Sequence, residues 1–329
     1  MRLERPGPAA SHPLQPFDGP DPTPGPGELL LRVKACGVCR TDLQIAEGDL
    51  AARRLPIVPG HQIVGRVEGI GRDVEGWQLG DRAGVAWLAS TDGTCAHCRS
   101  SHENLCLAAE FTGWDRDGGY ATHAVARADF ALRLPEGFDD LDAAPLLCGG
   151  VIGYRALKVS GIKRGGKLGL YGFGASATLA IQVARYWGCR VFVCTRSGAE
   201  RARATALGAE WTGGYDERPP EALDAAVTFA PVGSVVVAAL KALDRGGAVA
   251  INAIHLDQIP KLDYSDLWWE RSLRSIANFT REDARELLGL AATIPLHPER
   301  EVHPLDDANV ALERLSRGQV HGAAVLECA

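Results

Sequence analysis

The sequence predicts an α/β protein of two domains: a small, bent, barrel-like β domain and a domain built on a doubly wound parallel sheet. Its 329 residues are enough for two domains with a substantial core. Between residues 63 and 85, short stretches rich in Val and Ile are separated by glycines, a rhythm typical of small β barrels. From Val151 onward, strand-like and helix-like segments alternate, which favours parallel strands joined by helices.

The first domain is predicted to span residues 1–150 and to be completed by residues 293–329. Residues 1–27 are rich in Pro and Gly, and we expect them to wrap a surface. Residues 29–35 alternate like a strand, residues 87–106 form a polar loop dense in Cys and His, and residues 323–327 close the chain with a strand.

The second domain is predicted over residues 151–292. Strands are expected at 167–171, 190–194, 225–230, 248–252 and 273–279. Helices are expected at 178–187, 200–207 and 281–292, and Gly188 and Gly208 end the first two of them.

Composition excludes several classes of partner. A formal charge of -6 and a pI near 5.9 argue against nucleic-acid binding. No apolar run approaches the length of a membrane span, and the first residues have no apolar signal core, so we expect a cytoplasmic protein with no membrane partner. The chain has nine Cys, an odd number, which argues against a complete disulfide framework. Three of them lie within residues 95–106, which favours metal binding.

The turn at residues 172–177 fits the dinucleotide fingerprint G-x-G-x-x-G/A between a strand and a helix. Gly172 permits the tight turn, Gly174 lets backbone amides approach a pyrophosphate, and Ala177 allows close helix–sheet packing. The predicted nicotinamide-dinucleotide site therefore comprises Gly172, Gly174, Ala175, Ser176 and Ala177.

The end of the next predicted strand bears on the choice of cofactor. An acid that binds the adenosine ribose of NAD is expected there, but this chain has Thr195, Arg196 and Ser197. These side chains can donate hydrogen bonds to a 2′-phosphate, so we favour NADP(H) over NAD(H). Arg196 as a solvated cation, with either cofactor accepted, is the alternative.

Residues 39–42, together with His61, combine groups that suit a catalytic zinc. Cys39 and His61 are zinc ligand types, Thr41 offers a proton-relaying hydroxyl, and Asp42 can orient an imidazole. A lone Cys in a protein of this kind is more often a buried core residue, so support must come from elsewhere.

The chain resembles the zinc-dependent alcohol dehydrogenases of the medium-chain dehydrogenase/reductase superfamily. The stretches that carry the resemblance are Cys36-Gly-Val-Cys-Arg-Thr-Asp42, Pro59-Gly60-His61, Gly80-Asp81-Arg82, residues 111–114, Gly118-Gly119-Tyr120, residues 144–148 and the Gly172 turn. It implies a GroES-like β-barrel catalytic domain, a Rossmann cofactor domain, and reversible hydride transfer between NAD(P)(H) and a small or medium alcohol, aldehyde or ketone.

The resemblance also implies the catalytic zinc ligands Cys39, His61 and Cys148, which leave a fourth position for water or substrate. Thr41 would relay the alcohol proton, Asp42 would orient His61, and Arg40 would pair with the cofactor pyrophosphate. A redox pair of Cys36 with Cys39 and a packed core thiol at Cys148 are the competing interpretations.

Three positions depart from the family pattern. Gln62 replaces the Glu that usually follows the histidine ligand, and Gln44 replaces a His that often follows the relay hydroxyl. Because Gln44 cannot act as a base, the proton must leave through water or another group. Ala323 stands where many relatives have a pyrophosphate-binding Arg, which gives Arg40 a larger share of that task.

A second cluster lies at Asp92, Cys95, Cys98 and Cys106. Family members with a structural zinc have four Cys at this spacing, and an Asp oxygen is an acceptable ligand, so we expect a Cys3Asp zinc site. His97 or His102 as the fourth ligand and an empty loop are the alternatives.

The resemblance further suggests Trp87 and Trp114 as walls of a pocket with Thr41 at its floor; core packing explains both indoles equally well. The resemblance alone suggests a homodimer or homotetramer. Trp268-Trp269 could serve a subunit contact or internal packing. Two other functions stay open: a zinc-independent quinone or enone reductase, and a non-catalytic NADPH-binding protein.

Overall fold

The computed structural model describes residues 1–294 and 296–328. The strands, numbered along the chain, are β1 (Arg2–Leu3), β2 (Leu14–Gln15), β3 (Glu28–Val38), β4 (Gln62–Ile70), β5 (Arg82–Val85), β6 (Leu88–Ser90), β7 (Glu110–Phe111), β8 (His123–Arg127), β9 (Leu132–Arg133), β10 (Lys167–Tyr171), β11 (Arg190–Cys194), β12 (Trp211–Gly213), β13 (Leu223–Thr228), β14 (Leu243–Ile251), β15 (Ser272–Ser275), β16 (Arg300–Pro304) and β17 (Ala323–Glu327).

The α-helices are α1 (Arg40–Glu47), α2 (Ala96–Arg99), α3 (Asp140–Pro145), α4 (Val151–Ser160), α5 (Ala175–Tyr186), α6 (Gly198–Ala206), α7 (Gly233–Lys241), α8 (Tyr264–Leu267), α9 (Arg281–Ala291) and α10 (Ala308–Ser316). No helix within the described residues is long and apolar enough to cross a bilayer.

The chain divides into two compact units, and the division differs from the predicted one. The first unit holds residues 1–148, 278–293 and 297–328, and the second holds residues 149–277 with Ile294 and Leu296. We expected α9 to close the cofactor domain, but it belongs to the first unit. The reason is a contact with no local signal: Arg281, the first residue of α9, binds Glu103, and its guanidinium also donates to the carbonyl of Asp129.

The first unit is built around β3, which pairs antiparallel with β4 along its length, with β8 at its first half and with β17 at its second half. Six of the seven strands of this sheet follow the order β16-β17-β3-β4-β5-β9, and β8 joins it through its pairing with β3. Register shifts interrupt the β3–β4 ladder twice, and such bulges bend a sheet. The predicted bent β domain rich in glycine takes this form.

Alternating burial along β3 directs one side of the strand into the core of the first unit. Leu29, Leu31 and Val33 are fully buried there, together with Ile63 and Val67 of β4. A separate small cluster packs beneath the Cys-rich loop and contains Leu88, Cys106, Ala109 and Phe130. The loop therefore has apolar anchors of its own.

The second unit contains a six-stranded sheet in the order β12-β11-β10-β13-β14-β15, and every neighbouring pair is parallel. Numbered within the unit, this is the order 3-2-1-4-5-6 of the doubly wound dinucleotide-binding fold, which reverses direction between β10 and β13. The predicted α/β fold class is confirmed.

Two helices of the second unit begin before the residues at which the sequence predicts them. The predicted starts are residues 178 and 200, whereas α5 starts at Ala175 and α6 at Gly198. The last three residues of the Gly172 turn, Ala175 to Ala177, already have helical backbone. Ser197 caps α6 by accepting the N–H of Glu200. Both differences lie within the turns that are expected to bind the cofactor.

Candidate active site

The Cys39 turn is shaped by the start of α1. Cys39 occupies the N-cap position in extended conformation, and its Sγ accepts the N–H of Thr41 at 3.3 Å. In return, Asp42 Oδ2 accepts the N–H of Cys39 at 2.9 Å, which completes a reciprocal capping box. The sulfur and the carboxylate are thus fixed by local backbone bonds three residues apart.

Asp42 holds the imidazole of His61 through its Nδ1 atom. The Nδ1 atom of His61 lies 3.0 Å from Asp42 Oδ1, and the same oxygen accepts the N–H of Gly60 at 3.2 Å. Both side chains are buried, with exposures of 1% and 0%. Because Nδ1 faces a carboxylate, the proton of a neutral imidazole resides there and Nε2 is free to bind a metal.

Cys148 reaches the same place from a π-helical turn at Leu146–Gly150, between α3 and α4. Cys39 Sγ, His61 Nε2 and Cys148 Sγ all lie within 4.8 Å of one another, and the first two are 3.3 Å apart. Tetrahedral zinc, with Zn–S near 2.3 Å and Zn–N near 2.0 Å, holds such ligand atoms roughly 3.5–3.8 Å apart. The residues present therefore fit zinc, with one coordination position left over.

The electrostatics of the cluster favour a ligand-ready thiolate. Hydrogen bonding with Cys148 lowers the pKa of Cys39 well below its ordinary value, and His61 adds to the effect against the opposing influence of burial. The same contact raises the pKa of Cys148. Burial lowers the pKa of His61, but Asp42 and Cys39 outweigh it and raise the pKa well above its usual range.

An aromatic stack covers one side of His61. The ring of Trp87 meets the imidazole edge-on at 4.8 Å between centroids, and it stacks on Phe111 at 5.1 Å and on Trp114 at 5.8 Å. Arg53 lies over Trp114 at 3.9 Å and donates to both oxygens of Asp115. The two predicted indoles therefore lie together beside His61, in a stack that also contains Phe111.

The side chains of the second cluster also come together at one place. Oxygen and sulfur atoms of Asp92, Cys95, Cys98 and Cys106 lie within 4.8 Å of one another. Asp92 Oδ1 accepts the N–H groups of Thr94 and Cys95 at 2.8 and 2.9 Å, and these bonds lower the pKa of Asp92. Burial, aided by neighbouring thiols, raises the pKa of Cys98 to about 11. A carboxylate and three sulfurs in this arrangement fit a closed zinc site.

The loop of the second cluster is tied to α9. Glu103 accepts the backbone N–H of Arg281 at 2.8 Å and the Nη2 group of its guanidinium at 2.6 Å. Arg281 also lies over the ring of Phe130 at 4.2 Å from the centroid. This bidentate pair ties the loop between Cys98 and Cys106 to the start of α9.

The Gly172 turn in the second unit has the expected form. Gly172 has a φ of 91°, and a Cβ there would approach the N of Ala230 to 3.0 Å, so the position requires glycine. Gly174 is the N-cap of α5 and caps no N–H with a side chain, while the space around it is open. An uncapped helix N-terminus beside open space suits a pyrophosphate.

The end of β11 holds one feature that the strand pattern did not reveal. Thr195 is buried, and its hydroxyl donates to the carboxylate of Glu200 in α6. Ser197 caps α6, and Arg201 donates to the carbonyl of Thr195 at 2.8 Å. Of the predicted donors, Arg196 is exposed, whereas Thr195 and Ser197 are engaged within the turn.

Gln62 and Gln44, two positions that depart from the family pattern, lie near the first cluster. The Gln62 side chain lies across Gly37, where a Cβ would come within 2.6 Å of its Oε1. Gln44 Oε1 is buried and makes no hydrogen bond within the described residues. Phe111, Tyr120, Arg53 and Glu200 were assigned no role from the sequence, because each contributes through a contact distant in sequence or within a turn of unpredicted shape.

Comparison with known proteins agrees with these features. The sequence profile of the alcohol dehydrogenase GroES-like domain matches residues 25–136. A probable alcohol dehydrogenase of Mycobacterium tuberculosis, AdhA, is 47% identical over 331 residues, covering 99% of this chain and 96% of that protein. An alcohol dehydrogenase of Geobacillus stearothermophilus is 34% identical over 325 residues, covering 96% of each.

Among solved structures, the cobalt- and zinc-bound thermostable alcohol dehydrogenase of Pyrobaculum aerophilum superimposes with a TM-score of 0.88 at 26% identity. The match covers 99% of this chain and 98% of that one. The GroES-like profile, the parallel sheet and the full-length relatives agree with the resemblance drawn from the motifs. The chain belongs to the zinc-type alcohol dehydrogenase family of the medium-chain dehydrogenase/reductase superfamily.

Proposed function

We propose that this chain is a zinc-dependent alcohol dehydrogenase that transfers hydride reversibly between a nicotinamide cofactor and a small or medium alcohol, aldehyde or ketone. The observation that carries the proposal is the convergence of Cys39, His61 and Cys148 within 4.8 Å, with Asp42 bound to the far nitrogen of the imidazole. Zinc, when bound, supplies Lewis acidity that makes an alcohol more acidic or a carbonyl more electrophilic.

The roles of the surrounding residues follow from their contacts. Asp42 holds the Nδ1 proton of His61 and thereby keeps Nε2 directed at the metal position. Thr41 is buried next to Cys39, where its hydroxyl is suited to receive the alcohol proton. Gln44 has no ionisable proton, so onward transfer from Thr41 uses water.

Substrate size is proposed to be limited by the stack of Trp87, Phe111 and Trp114. Flat apolar rings beside His61 favour substrates with a compact apolar or aromatic group next to the reacting carbon. Replacing Trp114 by Ala is expected to raise the relative kcat/KM for secondary and branched alcohols over ethanol. Unchanged ratios across an alcohol panel would contradict this role.

For the cofactor we propose NADP(H) over NAD(H). Support comes from Arg196, which follows β11 and is exposed. The other two predicted donors are engaged within the turn, because the Thr195 hydroxyl donates to Glu200 and Ser197 caps α6. Arg196→Ala is expected to lower kcat/KM for NADPH about 10- to 100-fold, the range of a lost charge-assisted hydrogen bond. NADH measured on the same variant is the control; an equal loss with both cofactors would contradict the assignment.

We also propose a second, structural zinc at Asp92, Cys95, Cys98 and Cys106, and a homodimer or homotetramer in solution. Within the described residues, β15 is hydrogen-bonded to another strand along one edge only, and exposed side chains of Trp268 and Trp269 lie just before it. An open edge flanked by indoles suits contact with another copy. A molar mass near 35 kDa by light scattering, that of one chain, would contradict the assembly.

The experiment that tests the activity combines metal analysis with turnover. Wild type is expected to hold about two zinc ions per chain and to oxidise alcohols with NADP+, while Cys39→Ser and Cys148→Ser lose one zinc and nearly all turnover. Cys189→Ser is the matched control, because that buried thiol donates to the carbonyl of Lys163 and belongs to neither cluster.

The outcomes separate the alternatives. Full activity of Cys39→Ser on enones would favour a zinc-independent reductase, and cofactor binding without turnover on any alcohol or carbonyl in wild type would favour a non-catalytic binding protein. Loss of activity in Cys36→Ser with both zinc ions retained would favour redox chemistry of the Cys36 and Cys39 pair.

A further inference from the structure

Tyr120 lies fully buried against the backbone that carries the histidine ligand. Gly118 donates its N–H to the carbonyl of Val58 at 2.7 Å, and Tyr120 donates its N–H to that of Pro59 at 3.0 Å. A Cβ on Gly60 would come within 2.4 Å of the Tyr120 ring, so the aromatic face rests directly on this glycine. The ring is therefore fixed in place one residue from His61.

The Tyr120 hydroxyl is an anomaly in this setting. It is buried, with the whole residue at 0% exposure, and within the described residues it makes no hydrogen bond of ordinary geometry. Buried hydroxyls in native proteins nearly always have a partner, so an unpaired one calls for an explanation. Gly60 links the phenol to Asp42, because the Tyr120 ring rests on this glycine and the glycine N–H donates to Asp42 Oδ1 at 3.2 Å. Burial raises the pKa of Tyr120, and Asp42 adds to the rise.

Asp42 has room for one more donor. A carboxylate offers about four lone-pair sites. Three donors already use them: the N–H of Cys39 on Oδ2, and the N–H of Gly60 and Nδ1 of His61 on Oδ1. A carboxylate with no exposure to water depends on such bonds, because an ionised group buried without them is costly. The neighbouring thiols are much weaker acceptors for the phenol than this carboxylate.

We propose that Tyr120 is a positioning residue: its hydroxyl donates to Asp42, completes the hydrogen bonding of that carboxylate, and so fixes the orientation of His61 toward the metal. The inference rests on the proposed zinc function of Cys39, His61 and Cys148. It adds to that proposal a residue which touches neither metal nor substrate and acts through Asp42.

The test is a double-mutant cycle of Tyr120→Phe and Asp42→Asn. Tyr120→Phe removes one oxygen and leaves the ring packed on Gly60. We expect its zinc affinity, measured by chelator competition, to be about 10-fold weaker than wild type, at the low end for loss of a ligand-orienting partner. In Co²⁺-substituted protein the visible ligand-field bands should shift. In the Asp42→Asn background the same change should have almost no further effect.

Ser160→Ala is the control, because it removes another buried hydroxyl, one that donates to the carbonyl of Leu157 at the end of α4. It should leave zinc affinity and the cobalt spectrum unchanged. Equal 10-fold losses from Tyr120→Phe in both the wild-type and the Asp42→Asn backgrounds would overturn the proposal, because the hydroxyl would then act independently of Asp42. Unchanged affinity and spectrum in Tyr120→Phe would also overturn it. A wild type without zinc at this cluster would instead contradict the proposed function.

Discussion

Asp42→Asn provides the sharpest test of how the first cluster is built. The substitution preserves shape and removes the charge. The carboxylate receives three N–H groups, from Cys39 on one oxygen and from Gly60 and His61 on the other. An amide has a single oxygen, so if it keeps the bonds of Gly60 and His61, its NH2 group faces the N–H of Cys39.

The magnitude follows from that donor–donor contact. Leaving one buried N–H without a partner costs about 1–3 kcal/mol of unfolding free energy. Loss of the carboxylate behind the imidazole also weakens a metal ligand, and changes of this kind lower affinity roughly 10- to 100-fold. We therefore expect Asp42→Asn to unfold at lower urea and to release zinc to a chelator at a concentration at least an order of magnitude lower than wild type.

Asp283 supplies a matched control in the same unit. It is buried at the start of α9, where its Oδ2 accepts the N–H and the hydroxyl of Thr280, each at 2.9 Å. Asp283→Ala should lose about 1–2 kcal/mol of stability, as for other helix caps, and keep its zinc. If both variants lost zinc in proportion to their loss of stability, or if Asp42→Asn kept wild-type affinity, the reasoning would be refuted.

Three other predictions concern separate parts of the chain. Burial raises the pKa of Glu103, but Arg281 outweighs it and lowers the pKa. The pair should therefore add about 1–3 kcal/mol to the free energy of unfolding at neutral pH. This stability should be lost as pH falls from about 4.5 through the lower folded pKa. Urea melts of Glu103→Gln and wild type should therefore differ at pH 7 and converge in acid; a constant difference would contradict the assignment. Gly153→Ala would place a Cβ 2.9 Å from the carbonyl of Ser176. By displacing α5, it should weaken NADPH binding about 10-fold in a fluorescence titration. Equal affinity would show that α4 and α5 separate freely. Gln44→His should add an ionisation near pH 6.5 to the kcat profile, and superimposable profiles would exclude proton transfer through this position.

Much of the fold was predictable because its signals are local. Alternating strands and helices predict a doubly wound parallel sheet, which the second unit has, but they do not by themselves fix the order of its strands. The capping relation of Cys39 and Asp42 is likewise a three-residue pattern. By contrast, the membership of α9 depends on Arg281 and Glu103, which no periodicity relates.

The candidate site divides in the same way. Cys39, His61 and Cys148 converge in space, but Cys148 has no pattern of its own and entered only through the resemblance to known dehydrogenases. Phe111 joins the stack of Trp87 because β7 pairs with β6, which begins one residue after Trp87, and no periodicity in the sequence reveals that pairing. Their roles in catalysis stay predictions until the metal and turnover experiments are done.

The position of β17 beside β3 has a consequence for biosynthesis. Cys39, His61 and Cys148 have all been synthesised by residue 148, yet the strand that pairs with the second half of β3 begins at Ala323. The second unit forms from a nearly continuous segment and can fold on the ribosome while β3 still exposes an unpaired edge. We therefore expect the second half of β3 to stay open to pairing with another chain until residues 323–327 have been synthesised.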